Sequence, residues 1–431
     1  MQPESFAPAP GIRCLCLRDG RFKTARVTAA LLLPLREETA AGYAILPFLL
    51  RRGCAAYPDF TALNRRLNRL YGARVTADVR RVGEAQALVL SLSCIDDRYA
   101  LEGEKVAEEC ARLLSSMLFE PALENGRFRA ADVEREKRCL KELIEAEIDE
   151  KRWYARHRAE QEMCAGEPYA VNRYGTVEQV ERLTAESVTA CWRRALAEAV
   201  VQVTVQGGGD GRPVAEAIGS RFASLPERCP AHLEVRHVPA KRQPAEREEI
   251  MPVNQSKLVL GFRAEAVEPE GDVAAMRLFN ALWGGTPHSL LFRHVRERLS
   301  LCYYCAASYD RLKGVVLVDS GVQADKAEEA RREILRQLEA VRQGNFTDED
   351  LEAARRSLTN QIDSVGDLQS TLDNWYMGQA ALPGLTAPEE AAASVAAVTR
   401  ERVCAAAAGV RLDAVYLLKA EDGEEEAGEN G

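Results

Sequence analysis

Histidine is scarce in this chain, and none of its five histidines has the spacing of a common metal motif. They lie at positions 157, 232, 237, 288 and 294 of 431 residues, with neither His-x-x-x-His nor His-x-x-Glu-His among them. A Gly-x-Ser-x-Gly nucleophile elbow is also missing. A catalytic zinc needs several convergent side-chain ligands, so these absences argue against the usual zinc and serine hydrolase sites. We therefore predict no metal and no cofactor.

Long apolar segments are missing as well. No uninterrupted apolar run reaches membrane-spanning length, and residues 1–13 lack the apolar core of a signal peptide. The twelve cysteines are scattered, mostly singly, through apolar segments such as 90–95. This is typical of free thiols in a reducing compartment, so we expect a cytoplasmic protein without a membrane partner. Cys302 and Cys305 have redox-motif spacing but stand in a strand-like stretch, which favours a structural role.

The chain has no excess of positive charge. It carries 57 basic and 66 acidic residues, a net charge of −9, and residues 421–431 hold six of the acids and no base. Such a balance argues against a general nucleic-acid-binding surface. We interpret 421–431 as a short disordered acidic tail.

What the sequence does contain is an internal duplication. Residues 138–144 resemble residues 356–362 at an offset of 218, and the same offset places Val133 on Leu351. Each match follows a hairpin and another helix, so we predict an α+β fold of two homologous domains, each a mainly antiparallel sheet packed by helices. The predicted boundaries are 1–228 and 250–420, joined by a linker at 229–249. A single long helix is predicted over 131–163.

The apolar stretch 42–53 ends in Arg51-Arg52-Gly53, a helix stop signal, and precedes the motif Leu-Tyr-Gly-Ala at 70–73. This order resembles the N-terminal domain of the insulinase/pitrilysin-like zinc peptidases, which share their fold with the mitochondrial processing peptidase. The resemblance implies an inverted zinc motif, His-x-x-Glu-His, on this helix. Here its three positions are Ala44, Pro47 and Phe48, and none can bind a metal or transfer a proton.

The same resemblance implies a third ligand, a glutamate on the long later helix. Glu142 lies near that place and Glu136 is close by. We expect Phe48 to be buried where active relatives keep the metal. With the motif positions lost, one carboxylate would not hold zinc.

The second half resembles the family's other signature, a Gly-rich loop followed by residues 289–303. In active relatives an Arg and a Tyr seven positions apart help hold the substrate peptide, and Arg296 and Tyr303 have that spacing here. The resemblance therefore implies a peptide-binding role for both.

Residues 46–50, 57–58, 70–73, 136–141 and 163–170 are similar to the non-catalytic bacterial members associated with 5-aminopentanol modification of elongation factor P. That resemblance implies a catalytically inactive homologue, a non-catalytic subunit in a heterodimer with a zinc-bearing relative. Two alternatives stay open at this point: a free-standing peptidase with a non-zinc nucleophile such as a cysteine, and a peptide-binding scaffold. A homodimer is not distinguished from a heterodimer.

Overall fold

A computed structural model describes residues 2–421, which form two compact units. The first unit comprises residues 2–146, 167–236 and 362–391, and the second comprises 147–166, 237–361 and 392–421. Each unit therefore contains a segment from the other half of the chain. The predicted acidic tail lies, apart from residue 421, outside the described residues.

The first unit is built on a six-stranded sheet with the order β1-β2-β8-β3-β5-β4. Its β2 and β8 pair in parallel, and the other neighbours are antiparallel. The predicted hairpin near 75–92 is confirmed as β4–β5. The strands of this unit are β1 (Glu4–Ala9), β2 (Ile12–Arg18), β3 (Thr24–Pro34), β4 (Arg74–Val82), β5 (Ala85–Ile95), the short pair β6 (Leu123–Glu124) and β7 (Arg127–Phe128), and β8 (Val200–Gly207).

The second unit repeats this plan in a five-stranded sheet with the order β11-β12-β10-β13-β9. Again one neighbouring pair, β9 and β13, is parallel and the rest are antiparallel. The predicted fold, two homologous and mainly antiparallel α+β domains, is confirmed. The strands are β9 (Ala245–Met251), β10 (Ser256–Ala264), β11 (Cys302–Asp310), β12 (Val315–Val322) and β13 (Val410–Ala420).

Fifteen α-helices are described in residues 2–421, and none has the length and apolar composition to cross a bilayer. They are α1 (Glu37–Ala44), α2 (Leu46–Leu50), α3 (Phe60–Arg69), α4 (Val106–Phe119), α5 (Ala130–Asp149), α6 (Lys151–Met163), α7 (Val177–Glu181), α8 (Ala185–Glu198), α9 (Arg212–Ala223), α10 (Val273–Asn280), α11 (Ala327–Arg342), α12 (Asp348–Asp363), α13 (Gln369–Met377), α14 (Pro388–Ala396) and α15 (Arg400–Ala408). Two π-helical segments, Ala281–Gly285 and Phe292–Arg298, lie between α10 and β11.

The prediction of one helix over 131–163 is wrong, because the helix ends at Asp149 and a new one begins at Lys151. Glu150 between them has φ −78° and ψ 87°, which is not helical, and its carboxylate accepts a hydrogen bond from the Arg152 N–H at 3.3 Å. A side-chain acceptor at this position satisfies a free amide at the start of the new helix. The boundary between the units lies close to this break, so that residues 130–146 of α5 belong to the first unit and α6 to the second.

Each exchanged segment supplies a helix that packs on the sheet of its unit. In the first unit, Leu15 and Leu17 of β2 are buried against Leu372 and Tyr376 of α13. In the second, Met163 at the end of α6 lies so close to Gly261 of β10 that a Cβ at this glycine would meet the Met163 sulfur at 2.7 Å. Both sheets are therefore covered on the face opposite their other helices, which explains why β3, β10 and β12 are buried along nearly their whole length.

Candidate functional site

The stretch 42–53, predicted as one helix, forms the short helices α1 and α2 joined at Ile45. Pro47 stands in the first turn of α2, where a helix has amide donors without intrahelical acceptors. Its missing N–H therefore costs little at this place, whereas it would break a longer helix. The sequence folds locally as an interrupted helix because of this proline.

The three motif positions present only carbon to their surroundings. Ala44 is fully buried and Pro47 is buried. Phe48 is only half-buried at the margin of the core, so the expectation that it is buried is wrong. The Arg51 guanidinium carbon lies 5.5 Å from the centroid of the Phe48 ring, which is within the range of a cation–π contact.

A partly buried ion pair occupies the junction between the end of α2 and helix α5. Arg52 donates from Nη1 to Glu136 Oε1 at 2.9 Å and from Nε to Asp132 Oδ1 at 3.1 Å. Glu136 is 3% exposed, and its second oxygen, Oε2, is buried without a hydrogen-bond partner. Partial burial alone would lower the pKa of Arg52, but its hydrogen bonds and charge interactions with Glu136 and Asp132 are stronger, so the pKa is raised.

Glu136 and Glu142, the two candidates on the predicted long helix, lie in different environments. Glu136 belongs to the buried stripe of α5, in register with Val133, Leu140 and Ile144, whereas Glu142 is exposed. The structure therefore singles out Glu136 as the carboxylate that faces inward. The helical spacing of Val133, Glu136 and Leu140 could have identified Glu136 as the inward-facing carboxylate. The arginine pair Arg51-Arg52 after α2 could have indicated its counter-ion.

These residues do not fit a zinc ion. Within residues 2–421 no group of three or more His, Cys, Asp or Glu side chains is arranged to hold a metal. A cationic guanidinium already neutralises Glu136, and a metal would have to displace it. A crevice of about 60 Å³ lies beside Arg52, with room for a few water molecules.

Arg296 and Tyr303 are both presented to solvent. Arg296 is exposed on the π-helical segment 292–298, with its guanidinium carbon 4.5 Å from the centroid of the Phe292 ring. Tyr303 is 72% exposed on β11, the edge strand of the second sheet. A register shift between Cys302 and Cys305 marks a bulge at this point of the edge. In the part of the chain that the structure describes, no hydrogen bond joins Arg296 to Tyr303, and both side chains are exposed.

A family model and a related protein both indicate an inactive peptidase homologue. The model of a family described as "Peptidase M16 inactive domain" matches residues 182–358. The chain is 32% identical to the "Probable inactive metalloprotease YmfF" of Bacillus subtilis over 413 residues, which cover 96% of this chain and 97% of that protein. It is also 30% identical over 126 residues to the B. subtilis "Antilisterial bacteriocin subtilosin biosynthesis protein AlbE", covering 29% of this chain and 32% of that protein.

Solved structures share the fold over essentially the full length. A conserved protein from Enterococcus faecalis is 26% identical with a TM-score of 0.88, and the match covers 99% of this chain and 100% of that one. The peptidase M16 inactive domain from Pseudomonas fluorescens is 19% identical with a TM-score of 0.78, over 97% of this chain and 98% of that one.

Proposed function

The chain belongs to the M16 peptidase family as one of its inactive members, and on that premise we propose that it is the non-catalytic half of a heterodimer with a zinc-bearing relative. The observation that carries the proposal is the Arg52–Glu136 ion pair. It places a positive charge beside Glu136, one of the two glutamates near the position where the resemblance implies a third metal ligand, inside a two-unit fold. Such a chain keeps the framework of a peptidase while the chemistry is left to a partner.

Arg296 and Tyr303 support a share in peptide binding. A guanidinium and a phenol can donate hydrogen bonds to backbone carbonyls, and both groups are exposed next to the unpaired side of the edge strand β11. An edge strand offers free backbone groups to an extended peptide. In this proposal the two side chains orient a peptide that the partner cleaves.

The cellular role that we propose follows the resemblance to the bacterial members associated with 5-aminopentanol modification of elongation factor P. We place the pair in the cytoplasm, where that modification would occur. The relative AlbE is named as a protein of subtilosin biosynthesis. An accessory role in a biosynthetic step is in keeping with that name and with the proposed modification.

The test mixes the purified chain with a zinc-bearing M16 relative from the same organism. Sedimentation should show a complex larger than either protein, and turnover of a mixed peptide library should rise when the chain is added. Arg296→Ala combined with Tyr303→Phe should lower turnover severalfold and leave the complex intact. Arg332→Ala combined with Tyr99→Phe removes the same two types of exposed side chain elsewhere and should change neither measurement.

Two results would contradict the proposal. One is sedimentation of the chain only as a monomer beside its relative. The other is turnover that is the same with or without the chain. If the Arg296/Tyr303 variant forms the complex normally and peptide turnover does not fall, the heterodimer proposal stands and the peptide-binding role of the two residues is contradicted.

A further inference from the structure

A cavity in the second unit has a strongly cationic lining. Its volume is about 790 Å³, it is open to solvent, and it is lined by the segment 237–244, the end of β10 and the start of β13. A cavity of this size accommodates an organic molecule rather than a single ion. Its charged lining residues are Lys241, Arg242, Arg263 and Arg411, opposed by Glu265, with His237 at the rim.

The wall of the cavity is held rigidly. Arg263 is 5% exposed and donates from Nε to Asp413 Oδ2 at 3.2 Å and from Nη2 to the Met163 carbonyl at 3.1 Å. Asp413 stands where the β10–β13 register shifts, and its other oxygen accepts the Lys241 amide at 2.5 Å. Lys241 Nζ also donates to the last carbonyls of α6. Asp413 therefore neutralises Arg263 and holds the segment 237–244, which lines the cavity, in place.

Two other cations of the lining have no such partner. Arg242 and Arg411 are exposed, and the described residues give neither guanidinium an ion pair or hydrogen bond. Arg411 stands directly opposite Arg263 in the β10–β13 ladder, so both side chains project from the same face of the sheet. Like charges in this arrangement repel each other, and Asp413 compensates only one of them.

The local excess of positive charge contrasts with the whole chain, whose net charge is −9. Even with Asp413 and Glu265 counted, the cations at the cavity outnumber the acids. The remaining lining is largely aliphatic, including Val238, Pro244, Val267 and Leu412. Guanidinium groups form paired hydrogen bonds with phosphate and carboxylate oxygens, and they are less strongly hydrated than ammonium groups.

We propose that this cavity binds a small organic anion that carries at least two phosphate or carboxylate charges on a partly apolar frame. Arg242 and Arg411 contact its anionic groups, and Arg263 with Asp413 forms the fixed wall behind them. Binding relieves the repulsion between Arg263 and Arg411. Every residue of the site belongs to the second unit of this chain, so its binding can be tested without the proposed partner.

The test uses the full chain alone, at constant ionic strength, with inorganic pyrophosphate as the phosphate probe and citrate as the carboxylate probe. Titration calorimetry should detect saturable binding of at least one probe, and the probe that binds identifies the anionic group. Arg242→Gln and Arg411→Gln should each weaken that binding by about tenfold, and the double variant should abolish it. Arg332→Gln, which removes an exposed arginine on α11, is the matched control and should bind normally.

The unliganded variants give a second readout. Arg411→Gln removes the like-charge pair, so its melting temperature without ligand should equal or exceed that of the wild type. A purely structural role for Arg411 would instead lower it. Absence of binding by both probes, or equal loss of binding in Arg332→Gln, would overturn the proposal.

Discussion

The two exchanged helices are attached to their sheets by ion pairs of opposite polarity. In the first unit the acid is on the helix: Asp373 of α13 accepts hydrogen bonds from Arg26 and Thr28 of β3, both at 2.6 Å. In the second unit the acid is on the sheet: Asp319 of β12 accepts from Arg152 of α6 at 2.5 Å and also from Arg156. The duplicated fold therefore uses the same type of contact twice with the charges reversed.

This difference has a consequence for recognition during folding. If α6 and α13 carried the same charge, each could pair with either sheet. If α6 packed on the first sheet, its arginines would meet Arg26. If α13 packed on the second sheet, Asp373 would meet Asp319. Buried or partly buried like-charge contacts are costly, so the reversed polarity favours one pairing of helix and sheet.

The largest expected effect comes from breaking these contacts. Asp373 and Asp319 are 5% and 1% exposed, but their arginine partners differ. The Arg26 side chain is 15% exposed, whereas those of Arg152 and Arg156 are 44% and 26% exposed. Removing Asp373 leaves the mostly buried Arg26 guanidinium with its hydrogen bond to Ser93 but without its ion-pair partner, so Asp373→Ala should lower the free energy of unfolding by ~3–5 kcal/mol. Asp319→Ala leaves arginines that water can reach, and the loss should be ~1–3 kcal/mol.

Urea unfolding of both variants measures this difference. Asp373→Asn and Asp319→Asn keep the side-chain size and separate loss of charge from loss of packing. Equal losses in the two alanine variants, or a larger loss for Asp319→Ala, would show that the exposure of the arginines does not decide the energy.

The segments that follow the first central strand of each sheet also differ. In the first unit this segment carries the half-buried Phe48. In the second it carries Trp283, which is 0% exposed and stacks on Phe279 with ring centroids 5.4 Å apart. Trp283→Ala should therefore destabilise the chain by ~3–5 kcal/mol, and Phe48→Ala by only ~1–2 kcal/mol. Thermal unfolding of the two variants tests the ranking, and a Phe48→Ala loss as large as that of Trp283→Ala would show that Phe48 belongs to the core.

A third difference lies on the helices that the duplication matches. The offset of 218 places Glu136 of α5 on Ala354 of α12, and both positions are buried. The first unit thus holds a charged pair where the second holds a methyl group. Arg52→Ala strands the Glu136 carboxylate and should cost ~2–3 kcal/mol, whereas Glu136→Ala leaves Arg52 its contact with Asp132 and should cost less.

Urea unfolding of the two variants measures both losses. Arg51→Ala, which loses only the contact with Phe48, is the control and should cost less than Arg52→Ala. Equal losses in Arg51→Ala and Arg52→Ala would show that the ion pair does not stabilise this junction.

Sequence patterns predicted the duplicated α+β plan because periodicity and the offset of 218 depend only on local residues. They did not predict the helix break at Glu150, where neither Gly nor Pro marks the end, nor the exchange of α6 between units, which depends on contacts distant in sequence. They also missed β9, because the charged string Ala-Glu-Arg-Glu-Glu becomes a strand only by pairing with β13. At the site, the loss of the metal ligands could be predicted from the sequence. The Arg52–Glu136 ion pair could not, because it joins residues 84 positions apart.

The smallest effect is expected from restoring the motif itself. Wild-type protein should contain no stoichiometric zinc, and Phe48→His alone should restore no hydrolysis because Ala44 and Pro47 still supply neither a ligand nor a base.

Even the triple variant Ala44→His, Pro47→Glu, Phe48→His should bind zinc weakly, because Arg52 holds the only inward-facing carboxylate of α5 in the described chain. Adding Arg52→Gln frees that carboxylate and should raise zinc affinity at least tenfold over the triple variant, since a three-ligand site needs all three. Elemental analysis after dialysis against a weak chelator, followed by zinc titration, measures both. Tight, stoichiometric binding of zinc by the triple variant with Arg52 intact would show that the Arg52–Glu136 ion pair does not prevent metal binding. The loss of the motif residues would then be enough to explain the absence of zinc from the first unit.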